Sequence, residues 1–456
     1  LDASYGLTKL GTHFDMRLVH LVVLIFCSRR CSARLATIAS DGLKAFEPSG
    51  RRLKAECKEA PNPRAKVRFP THLMPVTNGP PMYSGYINVT TEDYLFYWMA
   101  EAEPSVASTA PVLLWSNGGP GCTSMEGALT EIGPWQLHNV KEEAASGAAT
   151  GRLSRSAYAW TAKVHLLMVD QPRYTGYSVG SGPQVTNSEA AAQDIVSFIR
   201  GWRLHFPEHA HRPWVFASES YGGRWVPSWA EAVMAYNAQG PSDPIALAGA
   251  LVGNGYMESF QDDPALLLEY GRREGFWTDV ANKPHSFMVV ENKIQHVLGY
   301  TPNMYDYRVK KLACCNCGQY NYSLWASWLL RQDVRQALHT CGSAGEEVFG
   351  TCAAGCREFP GFDAHPKRSF IEKLSKVLRA GIPAVLYYGK QDMRCHYVGG
   401  YAAVEKLDWP GKADFLAAGL KDFGPTFPVQ GQHQSGGGLA YFQFEGSGHM
   451  VPHNSP

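Results

Sequence analysis

The segment Trp214-Val-Phe-Ala-Ser-Glu-Ser-Tyr-Gly-Gly223 decides how this chain folds. It begins as an apolar run typical of a buried strand, passes through small residues and continues into the helix-like stretch Trp225–Val233. A tight turn between a strand and a helix lifts its central residue out of the sheet and exposes the side chain. The pattern therefore predicts a serine nucleophile at Ser220. An ordinary strand–helix turn is the alternative, since Ser218 stands where such motifs usually have glycine.

Similar strand-like runs recur on both sides of this segment, and helical stretches separate several of them. The runs lie at residues 112–115, 165–169, 245–252, 383–388 and 440–444. Strands that are apolar on both faces and alternate with helices form a mainly parallel sheet with helices on both faces. Residues from about 257 to 345 interrupt the alternation with Gly, Pro and clustered Cys residues. We interpret them as a Cys-containing helical insertion that caps the active site.

The composition is that of a large globular unit. Of the 456 residues, 45% are hydrophobic and 18% are charged, and the formal net charge is +1. Nothing in this balance predicts nucleic acid or an anionic membrane surface as a partner.

The N-terminal region reads as processing sequence. Met16-Arg17 precedes the apolar run 18–26, which is shorter than the about 20 residues of a membrane-spanning helix. We interpret residues 1–33 as an upstream extension and signal peptide, residues 34–66 as a pro-segment or flexible lead-in, and residues 67–456 as the catalytic domain. A short buried helix is the alternative for the apolar run.

Cysteine usage also indicates export. Cys27 and Cys31 of the 11 cysteines fall in the leader. The cluster at 314–317 lacks the paired spacing and the histidine ligands of a zinc site, so we expect disulfides and no metal. The sequons at Asn88 and Asn321 are candidate glycosylation sites on a secretory route. The predicted destination is the lysosome or vacuole, or the extracellular space.

A second small-residue segment, Asn117-Gly-Gly-Pro-Gly121, directly follows the strand-like run at 112–115. Consecutive glycines allow backbone N–H groups to point into a cavity without a Cβ in the way. An oxyanion hole requires such donors, and loss of one typically costs about 2.7–4 kcal/mol of catalysis. A phosphate-binding loop is the rival interpretation, but the Gly-Lys-Ser/Thr continuation and the dinucleotide glycine spacing are missing. No cofactor is therefore expected.

These segments and several others resemble the motifs of the serine carboxypeptidase family, in the family's order, from about Tyr83 to the chain end. The matching motifs are Asn117–Ser124, Glu131–Pro134, Asp170–Pro172, Thr175–Ser178, Ser218–Gly223, Gly253–Gly255 and Gly446–Pro452. The resemblance implies an α/β-hydrolase fold.

The resemblance also implies a catalytic triad of Ser220, Asp392 and His449. Each lies after a strand-like run, in the chain order of α/β-hydrolases. The imidazole accepts the proton of the serine, and the carboxylate holds the imidazole in the right tautomer. The backbone N–H groups of Gly119 and Tyr221 match the family's oxyanion donors.

In the family, recognition of a terminal carboxylate falls to the positions of Asn117, Gly118 and Glu219, with Glu131 nearby. Two carboxyl groups in contact cannot both ionise, so they share a proton and one pKa rises. Glu219 is therefore expected to donate a hydrogen bond to the substrate, most effectively at acidic pH.

The resulting prediction is a serine-type carboxypeptidase that releases C-terminal residues at acidic pH through an acyl-enzyme on Ser220. Its expected partners are peptide or protein C-termini, and a homodimer remains open. An acyltransferase and a catalytically weak scaffold are the alternatives. The resemblance pairs Cys122 with Cys352, or else with Cys356, and leaves Cys395 as the candidate free thiol.

Besides Ser218, Lys390 and the pair Arg173-Tyr174 depart from the family pattern. Lys390 stands where the family commonly has Asp, so it either keeps Asp392 ionised or faces solvent. Arg173-Tyr174 replaces a small Val-Gly pair and is expected to put bulk near the substrate cleft.

Overall fold

The strands in the described part of the chain form one large sheet and two small ones. The computed structural model describes residues 62–76, 78–140, 150–278, 286–310, 322–341, 359, 362–363, 369–424 and 430–456. The strands are β1 (Ala65–Lys66), β2 (Met82–Asn88), β3 (Asp93–Ala100), β4 (Val112–Ser116), β5 (Trp135–Val140), β6 (Thr150–Arg155), β7 (His165–Val169), β8 (Val179–Gly180), β9 (Trp214–Glu219), β10 (Leu247–Gly253), β11 (Pro302–Asn303), β12 (Asp306–Lys310), β13 (Ala384–Gly389), β14 (Lys421–Phe423), β15 (Gly431–Gly436) and β16 (Leu439–Phe444).

Helices lie between most of the central strands. The α-helices are α1 (Met125–Thr130), α2 (Ser188–His205), α3 (Gly222–Asn237), α4 (Pro264–Arg273), α5 (Phe287–Leu298), α6 (Tyr322–Leu329), α7 (Gln332–Ala337), α8 (Phe370–Arg379), α9 (Tyr397–Lys406), α10 (Lys412–Ala418) and α11 (Val451–Asn454). Short 3-10 turns occur at Trp160–Ala162, Pro207–His209 and Ser259–Asp262.

The large sheet has the order β1-β2-β3-β7-β4-β9-β10-β13-β16-β15-β14, with β8 paired to β3. Its central strands β7, β4, β9, β10, β13 and β16 are parallel to their neighbours in this series. The predicted parallel sheet is thus confirmed at the centre, whereas both edges are antiparallel. The antiparallel edges were missed because no strand was predicted at β2, β3 or β15; β15 has almost no apolar residues, whereas the apolar run of β3 was overlooked.

Strand β9 shows why the sheet is covered on both faces. Trp214 and Phe216 point to one core, and Val215 and Ala217 point to the other, because successive side chains alternate across a strand. Helices α2, α3, α8 and α9 contribute to the first core, and α1, α6 and α7 contribute to the second. The predicted arrangement of helices on both faces of the sheet is therefore confirmed.

The described parts of the predicted insertion contain helices α4 to α7 and a β11–β12 hairpin, whose strands pair antiparallel. Strand β1, within the predicted lead-in, pairs with β2. Several calls lie outside the described residues: the leader at 1–33, most of the lead-in, the cysteine cluster at 314–317, Asn321, Cys352 and Cys356. Within the described part of the chain, no helix combines the length and the apolar character that crossing a bilayer requires.

Candidate active site

Ser220 lies at the sharp turn between β9 and α3. Its φ of +59° falls in the left-handed region that side chains other than glycine rarely occupy. The turn is fixed by its backbone, since the N–H of Ser220 donates to the carbonyl of Gly253 at 2.9 Å and its carbonyl accepts from Tyr256 at 2.7 Å. The predicted strand–turn–helix is therefore present, and it leaves the Ser220 side chain only partly buried.

The unusual Ser218 fits this turn because its neighbours leave room for the hydroxyl. Ser218 is fully buried, and its Oγ donates to the carbonyl of Ser116 on β4 at 2.5 Å. A Cβ at Gly222 would lie 2.4 Å from that Oγ. The missing side chain at Gly222 thus accommodates the serine that replaces the usual glycine at position 218.

The loop after β4 runs directly against this turn. A Cβ on Gly118 would lie 2.6 Å from the carbonyl oxygen of Glu219 and 2.7 Å from the Cβ of Ser220. Gly119 has a φ of +111°, so this position also requires glycine. The structure therefore brings the predicted Gly-Gly segment to the nucleophile. The oxyanion roles of Gly119 and Tyr221 remain predictions.

Asp392 and His449, the predicted acid and base, are hydrogen-bonded to each other. Asp392 follows β13, His449 follows β16, and the two strands are adjacent and parallel. The Nδ1 of His449 lies 2.6 Å from Oδ2 of the fully buried Asp392. The other carboxylate oxygen accepts from the backbone N–H groups of Arg394 at 2.8 Å and Cys395 at 3.1 Å. Because Nδ1 faces the carboxylate, Nε2 is left for the serine proton.

The electrostatics of His449 follow from this pairing. Burial lowers the pKa of His449, but the charge of Asp392 and the hydrogen bond between the two groups outweigh burial. The pKa of His449 therefore lies above its ordinary value.

Cys395 links the acid–base pair to the nucleophile. Its Sγ, a carboxyl oxygen of Asp392 and a ring nitrogen of His449 lie within 4.8 Å of one another. The Ser220 side chain is close enough to lower the pKa of the Cys395 thiol, although burial, the largest influence, raises that pKa well above its ordinary value. These ligand types could hold a metal ion, but the Asp392–His449 hydrogen bond already joins two of the groups. Cys395 is free, as predicted.

Asn254 is a site residue whose role the sequence did not reveal. Its Nδ2 donates to Oδ2 of Asp392 at 2.8 Å, and its Oδ1 accepts from the backbone N–H of Gly389 at 2.9 Å. It thereby joins the end of β10 to the loop that carries the triad acid. The Gly253-Asn-Gly255 motif was the available signal, since glycines flanking a polar residue after a strand mark a tight approach.

Lys390 neither contacts Asp392 nor faces open solvent. Its Nζ donates to Oε1 of Glu445 at 2.5 Å, and its backbone N–H donates to the carbonyl of Phe444 at 3.0 Å. The side chain therefore links the two triad loops to each other. The sequence argument did not foresee this contact, because it considered only neighbours in the chain.

The bulky pair at 173–174 is held by acidic side chains. Arg173 makes two 2.7 Å hydrogen bonds with Asp194 on α2 and one of 2.9 Å with Asp93 on β3. The hydroxyl of Tyr174 also donates to Asp93, at 2.8 Å. The two side chains are thus taken up by a charged cluster between β3 and α2.

Helix α11 is hydrogen-bonded to the loop that carries His449. The backbone N–H of Gly448 donates to Oδ1 of Asn454 at 3.0 Å, and the hydroxyls of Ser447 and Ser455 lie 2.6 Å apart. Helix α11 therefore folds back on the residues just before His449.

The predicted carboxylate-binding residues lie together on the other side of the nucleophile. The Nδ2 of Asn117 donates to Oε1 of Glu219 at 2.9 Å, and its Oδ1 accepts from Trp115 Nε1 at 2.8 Å. Glu219 and Glu131 are only 5% and 1% exposed. Oε2 of Glu219 and both Glu131 oxygens make no hydrogen bond of standard geometry with any described residue, although the two carboxyl groups interact electrostatically.

Burial favours protonation of this carboxyl pair. Burial raises the pKa of Glu131 to about 8, with a further contribution from the charge of Glu126. Burial also raises the pKa of Glu219 well above its ordinary value, and the charge of Glu131 adds to the increase. Both influences favour a proton on this carboxyl pair, and that proton is retained more readily as the pH falls.

The remaining predictions concern the disulfide cysteines and the sequon at Asn88. Cys122, directly after the Gly-rich loop, and Cys341 are both disulfide-bonded. The pairing of Cys122 with Cys352 stays a prediction, because Cys352 is outside the described residues. Asn88 lies exposed at the end of β2.

Comparison with known proteins points to a single family. The family described as "Serine carboxypeptidase" matches residues 75–456. Carboxypeptidase Y homolog A of Leptosphaeria maculans is 28% identical over 411 residues, which are 82% of this chain and 71% of that protein. The pheromone-processing carboxypeptidase KEX1 of Chaetomium globosum is 30% identical over 417 residues, which are 82% of this chain and 62% of that protein.

A solved structure agrees with the sequence relatives on the fold. It is that of KEX1(delta)p, a prohormone-processing carboxypeptidase from Saccharomyces cerevisiae, with a TM-score of 0.69 and 21% identity over 85% of this chain and 92% of that chain. At this identity the likeness shows the α/β-hydrolase fold. The family match, together with the geometry around Ser220, shows that the chain belongs to the serine carboxypeptidase family and is a serine-type carboxypeptidase.

Proposed function

We propose that the chain releases C-terminal residues from peptides and proteins through an acyl-enzyme on Ser220, and that it binds them best at acidic pH. Ser220 attacks the carbonyl carbon of the last peptide bond while His449 takes the hydroxyl proton. His449 then gives this proton to the departing amino acid. Asp392, fully buried and hydrogen-bonded to the imidazole, stabilises the positive charge that forms on the ring.

The negative charge on the substrate oxygen is stabilised by the backbone N–H groups of Gly119 and Tyr221. Support comes from the close approach of the Gly-rich loop to the turn, where Gly118 leaves no space for a side chain beside Ser220. A water molecule, activated by His449 in the same way, then hydrolyses the acyl-enzyme and regenerates the hydroxyl.

The observation that carries the proposal is the buried pair Glu219 and Glu131 beside the nucleophile. A protonated carboxyl group donates a hydrogen bond, so Glu219 and the Asn117 amide suit the free carboxylate at the end of a peptide. An amidated end presents an N–H donor to these donors, and such mismatched polar groups are costly when buried. This difference distinguishes an exopeptidase from a general hydrolase.

The same proton affects the base. The charge of Glu219 is one of the influences that raise the pKa of His449. When Glu219 is protonated this influence is absent, and His449 loses its proton at a lower pH. A neutral Glu219 thus favours both substrate binding and a neutral base, which fits work in an acidic compartment.

Localisation and partners follow from the same reasoning. The disulfides of Cys122 and Cys341 are typical of oxidising compartments, and they support a secretory route to the lysosome, the vacuole or the outside of the cell. Peptide and protein C-termini are the proposed substrates, and a homodimer remains a hypothesis.

The two alternative functions are not favoured. The curated relatives in the comparison are named carboxypeptidases, which speaks against an acyltransferase. The Asp392–His449 hydrogen bond and the intact turn at Ser220 speak against a catalytically weak scaffold.

The proposal is tested by incubating the purified protein at acidic pH with an N-blocked dipeptide and, separately, with its C-terminal amide. A Ser220→Ala variant serves as the control. Release of the last residue from the free acid in strong preference to the amide, abolished in the variant, would support the proposal. Equal cleavage of acid and amide would contradict the role of Glu219, and wild-type turnover no better than the variant would leave only a scaffold.

A further inference from the structure

The β11–β12 hairpin of the insertion contacts the loop that carries the triad acid. The carbonyl of Met304, at the tip of the hairpin, accepts from the backbone N–H groups of Met393 at 2.8 Å and Arg394 at 3.0 Å. The N–H of Tyr307 donates to the carbonyl of Gln391 at 3.0 Å. These three bonds bracket Asp392 on both sides along the chain.

The same hairpin contacts the loop that carries the base. The carbonyl of Tyr305 accepts from the backbone N–H of His449 at 2.8 Å, and the two rings pack with their centroids 4.7 Å apart. Further along the hairpin, Nη1 of Arg308 donates to the carbonyl of Gly446 at 2.8 Å. The hairpin therefore touches the base loop at its beginning and at the catalytic residue itself.

The guanidinium of Arg308 is oriented by a buried acid on its own strand. Asp306 is only 1% exposed, and its Oδ1 accepts from Nε of Arg308 at 2.8 Å while Oδ2 accepts from Nη2 at 2.5 Å. Such a two-pronged pair fixes the plane of the guanidinium. The remaining nitrogen, Nη1, is thereby aimed at Gly446, whose φ of +69° marks the bend that starts the base loop.

We propose that Arg308 is a positioning residue for the general base. Its charge-assisted hydrogen bond to Gly446 holds the bend of the loop, while Tyr305 holds the backbone of His449, so that the imidazole keeps its distance to Asp392 and to Ser220. Small misplacements of catalytic groups cost up to about a hundredfold in rate. The inference rests on the proposed role of His449 as the base.

The test compares Arg308→Gln with Arg331→Gln. Arg331 is a matched control, because it makes the same kind of paired contact with Asp333, two residues away, at 3.0 and 2.8 Å, and among the described residues it makes no hydrogen bond to either triad loop. We expect Arg308→Gln to lower kcat about tenfold with KM changed less than twofold, and to lower the apparent pKa on the acidic limb of kcat/KM. Arg331→Gln should change neither, while both variants shift the melting temperature by similar amounts.

A third variant separates positioning from general loss of structure. Arg308→Lys keeps the charge but not the planar fork, so it should recover part of the lost kcat. Wild-type kcat and pH profile in Arg308→Gln, or an equal loss of kcat in Arg331→Gln, would overturn the inference while leaving the proposed function intact. A wild-type protein no more active than Ser220→Ala would instead overturn the proposed function, and the inference with it.

Discussion

The turn at Ser220 and the loops of Asp392 and His449 meet in one site but are held in different ways. Ser220 is fixed by elements that neighbour it in the sheet, through the carbonyl of Gly253 and the close approach of Gly118. The two loops are held by Asn254 and by helix α11, and they also take hydrogen bonds from the β11–β12 hairpin of the predicted insertion. The geometry of the nucleophile is thus set by the central sheet, whereas the geometry of the acid and the base depends in part on this hairpin.

Removal of the nucleophile should give the largest effect. Ser220→Ala is expected to lower kcat about a millionfold, since such a triad acts as a unit. Single-turnover hydrolysis of an N-blocked dipeptide measures the loss, and circular dichroism checks that the variant folds. Retention of more than a thousandth of wild-type kcat would mean that another group carries the chemistry.

Asn254 tests the junction of the two regions, because it joins β10 to the loop of Asp392. Asn254→Ala removes the bond to the buried carboxylate and is expected to lower kcat about ten- to hundredfold, in line with the about 1–3 kcal/mol cost of an unsatisfied buried group. Asn237→Ala is the control, since the amide of Asn237 also donates one hydrogen bond and accepts another, both with the backbone of Ile245 and away from the triad.

The Asn237 variant should lose stability but retain kcat. If both variants lose kcat equally, Asn254 has no specific role in holding the triad acid. Urea unfolding of the two variants provides the comparison of stability.

The sequence predicted the Ser220 turn more completely than it predicted the supports of the Asp392 and His449 loops. The Ser220 turn and the Gly-rich loop were found because small residues follow apolar runs within a short stretch of chain. The triad acid was assigned by the resemblance to the family, and the base was located by its position after the last strand-like run. Their supports were not found, because Met304, Tyr305 and Arg308 act through backbone carbonyls and long-range contacts that leave no local pattern.

Lys390 illustrates the same limit. Its partner Glu445 lies on the neighbouring strand's loop, and only the register of β13 against β16 brings the two together. Residue type and chain position suggested only an effect on Asp392 or a side chain in solvent, and neither alternative included Glu445.

A change in packing at the Ser220 turn should have a smaller effect on the free energy of unfolding, and a second substitution should reverse it. Gly222→Ala places a Cβ 2.4 Å from Ser218 Oγ and is expected to cost about 1–3 kcal/mol of unfolding free energy. The double variant Ser218→Gly/Gly222→Ala removes the hydroxyl and should recover most of the loss. Urea unfolding measures both. No recovery in the double variant would show that Ser218 and Gly222 are not coupled.

Two buried histidines, His165 and His396, are expected to make the free energy of unfolding depend on pH. Burial is the main cause that lowers the pKa values of His165, at the start of β7, and His396, beside the acid loop, to about 4. In each ring Nδ1 accepts a backbone N–H, which requires the neutral form. The unfolded chain therefore binds more protons between about pH 6.5 and 4, and this contribution to stability falls as the pH decreases through that range.

Replacement of His165 by Gln removes one of these proton sites. The unfolding free energy of His165→Gln should fall less steeply between pH 6.5 and 4 than that of the wild type, by on the order of 2 kcal/mol over the interval. Urea titrations at both pH values measure the slope. Identical slopes would show that His165 does not titrate as described.

The central claim is that protonated Glu219 recognises the C-terminal carboxylate of the peptide. The Glu219→Gln variant tests this claim most directly. Gln donates a hydrogen bond at every pH, whereas Glu219 donates one only while it is protonated. The measurement is KM for an N-blocked dipeptide acid from pH 5 to 8.5, with its amide as the reference. The account predicts a wild-type KM that rises at least tenfold across this range and a variant KM that stays constant within twofold. A variant that keeps the wild-type pH dependence, or a wild-type KM that does not change, would contradict it.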